Sequence, residues 1–155
     1  MTGRGLRVHL ALAAVLLGTA APAAAQLLNL AVSPAVISIP SADPDLVPTV
    51  SSGPVTIDYR VRQNSQDTWV LTVLASGDLE SGASTIDIAA VSWIATPSPP
   101  FQNGTLSRSV AQTVAMGTGN VARPSTGSII FRLANSWTYD AGTYTQTLVF
   151  TLSTP

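Results

Sequence analysis

Short stretches in which apolar and polar residues alternate run through most of the chain. In two neighbouring stretches the apolar positions are Val55, Ile57, Tyr59 and Val61, then Trp69, Leu71, Val73 and Ala75. A period of two places such side chains on one face of a β-strand. Residues 55–62 and 68–75 are therefore predicted to be strands, and the short polar turn at 63–67 predicts that they pair as a hairpin.

The same pattern, interrupted by clusters of Pro, Gly, Ser and Asn, predicts further strands. They are expected at 28–32, 35–39, 85–88, 91–95, 105–107, 109–114, 128–134 and 143–152, with a glycine-containing loop at 116–127. No stretch of helical length repeats its apolar residues at a 3.6-residue period. The prediction is an all-β chain that folds as a single antiparallel, immunoglobulin-like β-sandwich of about eight to ten short strands.

The first residues have the features of a secretory signal peptide. Arg4 and Arg7 precede an apolar run at 10–17, and small residues lead to Ala25. Such leaders combine a basic start, a short apolar segment and a small-residue cleavage site. The apolar run is too short to span a bilayer as a helix. The chain is therefore predicted to contain a leader, residues 1–25, and a β-sandwich domain, residues 26–155, which has no transmembrane span. The expected location is extracellular or at the cell surface, or the periplasm if the source has an outer membrane.

Composition then removes most kinds of chemistry from the mature chain. Residues 26–155 contain no His, Lys or Cys, and their five Arg against eight acidic residues give a formal charge of −3. Disulfides, thiolate nucleophiles, Cys or His metal ligands and a Ser-His-Asp triad are excluded. So few basic residues argue against a nucleic-acid-binding surface. The expectation is a secreted binding or structural module that is not an enzyme and uses no cofactor or metal.

Three pairs of charged residues remain candidates for chemistry. They are Asp78 with Glu80, Asp43 with Asp45, and Arg60 with Arg62. Two carboxylates can act in glycoside hydrolysis, Asp oxygens can bind Ca²⁺, and paired Arg can bind a phosphate or carboxylate. For each pair the favoured interpretation is simpler, namely a solvated turn or strand surface.

A more specific pattern precedes the last predicted strand. Residues 140–144 read Asp-Ala-Gly-Thr-Tyr, which is the Asp-x-Gly-x-Tyr spacing of the tyrosine corner in immunoglobulin-like sandwiches. In that corner the Tyr hydroxyl bonds to the backbone a few residues upstream. The predicted role of Gly142 and Tyr144 is therefore structural.

Two segments resemble the WxL domain of bacterial surface proteins. The motif positions are Trp69 and Leu71 in the first segment, and Gly142, Tyr144, Phe150 and Leu152 in the closing segment. Phe150 stands where that family has Trp. The resemblance implies non-covalent attachment to the cell wall through peptidoglycan, with cell-wall polysaccharide or other surface proteins as partners. Because the alternation also directs the large side chains of this motif inward, core packing is their favoured role.

The chain is also similar to pilus subunits that a chaperone and an usher assemble. Those secreted sandwiches lack one strand and receive it from a neighbour. Gly142 matches the glycine before their last strand, and residues 26–33, with Leu28, Leu30 and Val32 alternating, are a candidate donor. The Cys pair and the penultimate aromatic residue of that family are missing. Strand donation is therefore the alternative, and the main expectation is that residues 26–155 fold alone as a monomer.

Trp137 and Tyr139 are the predicted ligand-facing pair if the domain binds a wall glycan. A sugar ring stacks its apolar face on an aromatic side chain. Both residues lie between two predicted strands, and loops at the end of a sandwich often carry its binding site. The alternative is that Trp137 closes the end of the core and Tyr139 leads into the corner.

Overall fold

The computed structural model describes residues 7–16 and 27–155, so Arg4 and the predicted cleavage site after Ala25 lie outside the described residues. Regular structure in these residues is β-strand apart from one 3₁₀ turn at Ile88–Ala90. The strands are β1 (Arg7–Leu16), β2 (Leu27–Ser33), β3 (Val36–Ile39), β4 (Thr49–Ser51), β5 (Val55–Arg62), β6 (Thr68–Ala75), β7 (Leu79–Ser81), β8 (Ser84–Ile86), β9 (Val91–Thr96), β10 (Gly104–Thr105), β11 (Gln112–Thr118), β12 (Val121–Ala134) and β13 (Thr143–Ser153).

The strands form two sheets that enclose one continuous core. Sheet A has the order β11-β6-β13-β1-β3, with β7 paired to β13 and β8 paired to β7. Sheet B has the order β10-β9-β12-β5-β2, with β4 paired to β12. The pairs are antiparallel except for β1 and β13, which run parallel. The predicted all-β sandwich is confirmed.

The period-two pattern correctly identifies which side chains of β5 and β6 reach the core. The inward residues Val55, Ile57, Tyr59 and Val61, and Trp69, Leu71, Val73 and Ala75, are all buried. Tyr59 of sheet B meets Trp69 of sheet A with ring centroids 5.0 Å apart. Tyr59 also makes a T-shaped contact with Phe101 at 5.8 Å. Tilted and T-shaped contacts are the arrangements that the charge distribution of aromatic rings favours. The three side chains together connect the two sheets.

The prediction that β5 and β6 pair as a hairpin is wrong. β5 lies in sheet B and β6 lies in sheet A, so residues 63–67 cross from one sheet to the other. The Gln63 amide holds this crossing by donating to the carbonyls of Asp67 and Gly119, at 2.8 and 3.1 Å. Alternation alone does not distinguish the two arrangements, because a hairpin and a pair of facing strands both bury one face of each strand.

The prediction of a loop at 116–127 is also wrong for most of these residues. β11 continues to Thr118 and β12 begins at Val121, so the connection shrinks to a turn at Gly119. Gly119 has a φ of +78°, a left-handed conformation that Gly adopts without steric cost. The alternation is hidden here because the pairing of β12 with β5 shifts register between Val121 and Ser125.

Three large aromatic side chains lie directly over glycines of other segments. Trp69 covers Gly117, Trp93 covers Gly104, and Phe101 covers Gly127. A Cβ atom at Gly117 would lie 2.6 Å from Cζ2 of Trp69, and one at Gly104 or Gly127 would overlap the ring above it. Glycine is therefore needed at these positions for space, and each ring with its glycine forms one packing unit.

We expect Gly117→Ala to destabilise the full chain by about 1–3 kcal/mol, the usual cost of overpacking a filled core. The added methyl group would have to displace the buried Trp69 ring. Gly53→Ala is the matched control, because a Cβ at Gly53 meets no atom of the described residues within 4 Å. Its effect should stay within about 0.5 kcal/mol. Chemical denaturation measures both values. Equal stability of the two variants would contradict the close contact.

Candidate functional site

A strand from the predicted leader occupies the interior of sheet A. β1 pairs with β13 in parallel along its whole length, and with β3 in antiparallel orientation over residues 8–11. Two further backbone hydrogen bonds of 2.8 Å run from the Arg7 N–H to the Gly142 carbonyl and from the Leu12 N–H to the Ala35 carbonyl. β1 is therefore held on both of its edges.

The inward face of β1 is buried most deeply where both neighbours flank it. Val8 and Leu10 are 0% exposed and belong to the hydrophobic core. Leu12 is partly buried against that core, and Ala14, beyond the end of β3, is exposed. Among the described side chains of residues 7–15, Val8 and Leu10 are therefore the ones that β1 buries fully.

We call the gap between β13 and β3, which β1 fills, the strand slot. Among the described residues β3 pairs with no strand other than β1. Without β1, β13 would present unpaired N–H and C=O groups, and the places of Val8 and Leu10 would become an apolar groove between the sheets. An open strand edge beside an apolar groove is the arrangement that accepts an added β-strand.

The outer rim of the strand slot carries a carboxylate. His9 of β1 pairs with Thr145 of β13, and Glu80 of β7 pairs with Thr145 in the same sheet. His9 and Glu80 both line an open cleft of about 260 Å³ on the outer face. A basic side chain at the position of His9 therefore shares this cleft with the Glu80 carboxylate.

The predicted tyrosine corner is confirmed, and it lies at the mouth of the strand slot. The Tyr144 hydroxyl donates to the Asp140 carbonyl at 3.2 Å. Gly142 lies close to Ser81, whose Oγ would be 2.5 Å from a Cβ at that glycine. The Gly142 carbonyl also accepts the Arg7 N–H. The corner thus fixes the start of β13 beside the first residue of β1.

The remaining residues of the WxL-like motif lie in the core. Trp69, Leu71, Phe150 and Leu152 are buried, and Leu71 is the register partner of Leu152 on the neighbouring strands β6 and β13. The indole N–H of Trp69 is buried and has no hydrogen-bond partner among the described residues. Trp69 also lines a small apolar cleft of about 300 Å³. These positions suit the core-packing role that the alternation predicts.

The two residues predicted to face a ligand have different surroundings. Trp137 is 67% exposed, and its indole N–H donates to the Asp45 carboxylate at 3.1 Å. Tyr139 packs partly buried against the core. Burial, reinforced by the negative charge of Asp87, raises the pKa of the Tyr139 phenol above its usual value. Trp137 therefore offers an open aromatic face, whereas Tyr139 is partly covered.

The loop that carries Trp137 is tied to the loop between β3 and β4. The Asn135 side-chain amide donates to the carbonyls of Ala42 and Val47, both at 3.0 Å. Together with the bond from Trp137 to Asp45, these contacts join the two loops into one surface at this end of the sandwich.

The two candidate acidic residues Asp78 and Glu80 have different surroundings. The Asp78 carboxylate accepts the Ile88 N–H at 3.1 Å and pairs with Arg108 at 2.8 Å. Glu80 is exposed on the rim of the strand slot. Asp78 is therefore occupied in holding a turn.

The other charged pairs make local contacts. Asp43 accepts the Asp45 N–H at 2.9 Å within their shared loop. On β5, Arg62 is exposed, and the Nε atom of Arg60 is buried with no hydrogen-bond partner in the part of the chain that the structure describes. In residues 7–16 and 27–155 no group of three or more His, Asp or Glu side chains is placed to hold a metal ion.

Sequence reasoning missed the role of β1, although the signal was present. Val8, Leu10 and Leu12 alternate with His9 and Ala11, which is the period of a strand. The same residues also fit the basic start and apolar segment of a leader, and a leader explains them without a strand.

Comparison of the chain with protein-family models gives no match, and none of the curated proteins matches it. The resemblances to WxL domains and pilus subunits therefore remain predictions from short motifs. In the part of the chain that the structure describes, no helix is long and apolar enough to cross a membrane. The fold and the site define a two-sheet β-sandwich in which an N-terminal strand fills an interior position.

We expect Val8→Asp to destabilise the full chain by about 3–5 kcal/mol, the cost of burying an uncompensated charge. Ala13→Asp is the matched control, because Ala13 lies on the same strand with an exposed side chain. The free energy of unfolding of both variants provides the measurement. Two variants of equal stability would show that β1 does not occupy the strand slot.

Proposed function

We propose that this protein is a secreted, non-catalytic structural module of the bacterial cell surface, and that a β-strand from another polypeptide completes its mature domain. The observation that supports this proposal is the position of β1. This strand lies entirely within residues 1–25, the predicted leader, and yet it fills the strand slot. Cleavage after Ala25 would remove it and leave residues 26–155 with the slot open.

Opening the strand slot removes a large share of the folding free energy. Full burial of Val8 and Leu10 contributes about 1.5–3 kcal/mol each. Each backbone group of β13 or β3 that stays buried without a partner costs about 1–3 kcal/mol. The free energy of unfolding of a domain is typically only about 5–15 kcal/mol. The losses on opening the slot are therefore comparable with the total stability of the domain. The mature domain therefore needs a replacement strand.

The loss of stability without β1 favours the alternative of a pilus-like subunit that receives a strand. It disfavours the expectation that residues 26–155 fold alone as a complete monomer. The monomer expectation assumed that residues 26–155 provide every inward strand face. In the described structure Val8 and Leu10 provide two of them. The pilus-like alternative assumes one missing strand, and the strand slot is a place for it.

The test uses the full chain with a specific protease site introduced between residues 17 and 26. After cutting, we expect β1 to exchange for a labelled peptide of the sequence Arg7–Leu16. Separation from β1 should lower the melting temperature, and added peptide should restore it. A peptide with Asp in place of Val8 and Leu10 should not bind, because both side chains enter the core. A peptide with Asp in place of the exposed Ala13 is the matched control and should bind.

Two results would overturn the proposal. The first is a cut chain, separated from β1, that keeps the melting temperature of the uncut protein and binds no peptide. The second is an exported protein whose mass shows that it retains β1, because the strand would then belong permanently to its own domain. The expected mass is that of a chain starting at Gln26.

A second function, binding of a wall glycan, is favoured by one observation. The Trp137 ring is exposed and oriented by its hydrogen bond to Asp45, so it offers an apolar face beside a carboxylate that can accept bonds from sugar hydroxyls. This surface lies at the end of the sandwich. Glycan binding there is compatible with a strand-completed module.

We expect Trp137→Ala to weaken binding to isolated wall glycan about 2- to 12-fold, equivalent to about 0.5–1.5 kcal/mol of stacking energy. Its melting temperature should barely change, because substitutions at exposed positions usually stay within about 0.5 kcal/mol. Leu46→Ala is the control, since Leu46 is 80% exposed in the adjoining loop and offers no ring. A pull-down on purified walls that retains both variants equally would exclude Trp137 as the ligand platform.

A further inference from the structure

We infer that the strand which fills the slot of the mature domain comes from a different protein, not from a second copy of this chain. The inferred donor is an extended segment with an aliphatic–basic–aliphatic sequence. The inference rests on the proposed function and identifies its partner.

The segment of the mature chain that most resembles a donor is already part of sheet B. Residues 26–33 are the predicted donor because Leu28, Leu30 and Val32 alternate, and the structure shows the same spacing for the inward residues Val8 and Leu10 of β1. In the structure these three side chains pack partly buried against the core as part of β2. β2 pairs with β5 through every residue from Leu27 to Ser33. Donation would therefore open sheet B of the donor.

The same segment is also attached to a wall of the strand slot. β2 ends at Ser33 and β3 begins at Val36, so only a short link separates them. β3 is the wall opposite β13. A copy that extended β2 into a neighbour would pull on its own β3 and disturb the slot in which it must itself accept a strand. Two sites would be disrupted to fill one, which disfavours exchange between identical copies.

The inner surface of the strand slot selects apolar side chains. Leu10 is the register partner of Gln146, and Val8 is the register partner of Tyr144. The Gln146 amide donates to the Asp78 carbonyl and its oxygen accepts a backbone N–H, while the Tyr144 hydroxyl donates to Asp140. Val8 and Leu10 are 0% exposed within the hydrophobic core, so a polar side chain in either place would lose water among mostly apolar neighbours.

The outer rim of the strand slot favours a basic residue between the two aliphatic positions of the donor strand. His9 occupies that place in β1 and shares an open cleft with Glu80. A Lys or Arg at this position would be attracted to the carboxylate, and an acidic residue would be repelled. The contribution is modest because Glu80 is exposed. We expect a peptide with Lys at the His9 position to bind about two- to fivefold more tightly than one with Glu.

The experiment again uses the full chain with the cleavable site, now carrying Asn29→Cys and Arg60→Cys. These residues are opposite one another on β2 and β5, and the chain has no native Cys, so a disulfide between them locks β2 in sheet B. After cutting and separation from β1, sedimentation velocity at increasing concentration gives the oligomeric state with the lock closed or reduced. Fluorescence anisotropy gives the affinity for the labelled Arg7–Leu16 peptide and its Lys and Glu variants.

We expect monomers at all concentrations, one bound peptide per chain, and the same peptide affinity in the locked and reduced states. Oligomers that form only after reduction and dissolve with excess peptide would overturn the inference and identify a second copy as the donor. That result would leave the strand slot itself established. Absence of peptide binding in both states would refute the proposed function as well. Equal affinities for the Lys and Glu peptides would refute the basic position of the donor pattern.

Discussion

Sheet A depends on β13 being paired along both of its edges. On one edge β13 contacts β6 and β7, and on the other it contacts β1. Its inward residues Leu148, Phe150 and Leu152 are fully buried, so this strand runs through the middle of the core. β3 joins the sheet only through β1 among the described residues. Whatever strand lies beside β13 therefore decides whether this side of the sandwich closes.

The aromatic packing units lie at the opposite side. In the two sheet orders, β11 and β6 carry the contact between Gly117 and Trp69, and β10 and β9 carry the contact between Gly104 and Trp93. The strand slot lies beyond β13, toward β3. One side of the core is thus closed by rings that come from residues 27–155, while the other is closed by aliphatic side chains of β1. Loss of β1 would therefore open the aliphatic side, which lies away from the aromatic packing units.

The alternation of apolar and polar residues predicted which face of a strand is buried. It did not predict which strands lie next to one another. The alternation in β5 and β6 identified every inward residue, and the spacing around Tyr144 identified a real hydrogen bond. The same alternation assigned β5 and β6 to one hairpin, because pairing depends on contacts that the period does not encode. The contact of Gly117 with Trp69 was not predicted either, since it requires the register of β11 against β6. The hydrogen bond from Trp137 to Asp45 was not predicted for the same reason, because it depends on how two distant loops meet.

The leader illustrates why one sequence pattern can support two interpretations. A signal peptide needs a short apolar segment but no particular period. An interior strand needs apolar residues at alternate positions and tolerates small residues between them. In β1 these small residues are Ala11 and Ala13. Both requirements are met by the same residues, so the sequence does not choose between them. In the uncut chain β1 is covalently connected to the domain, and its pairing with β13 is intramolecular, which gives it a high effective concentration. Cleavage would remove that advantage, and occupancy of the strand slot would then follow the concentration and affinity of the strands available to it.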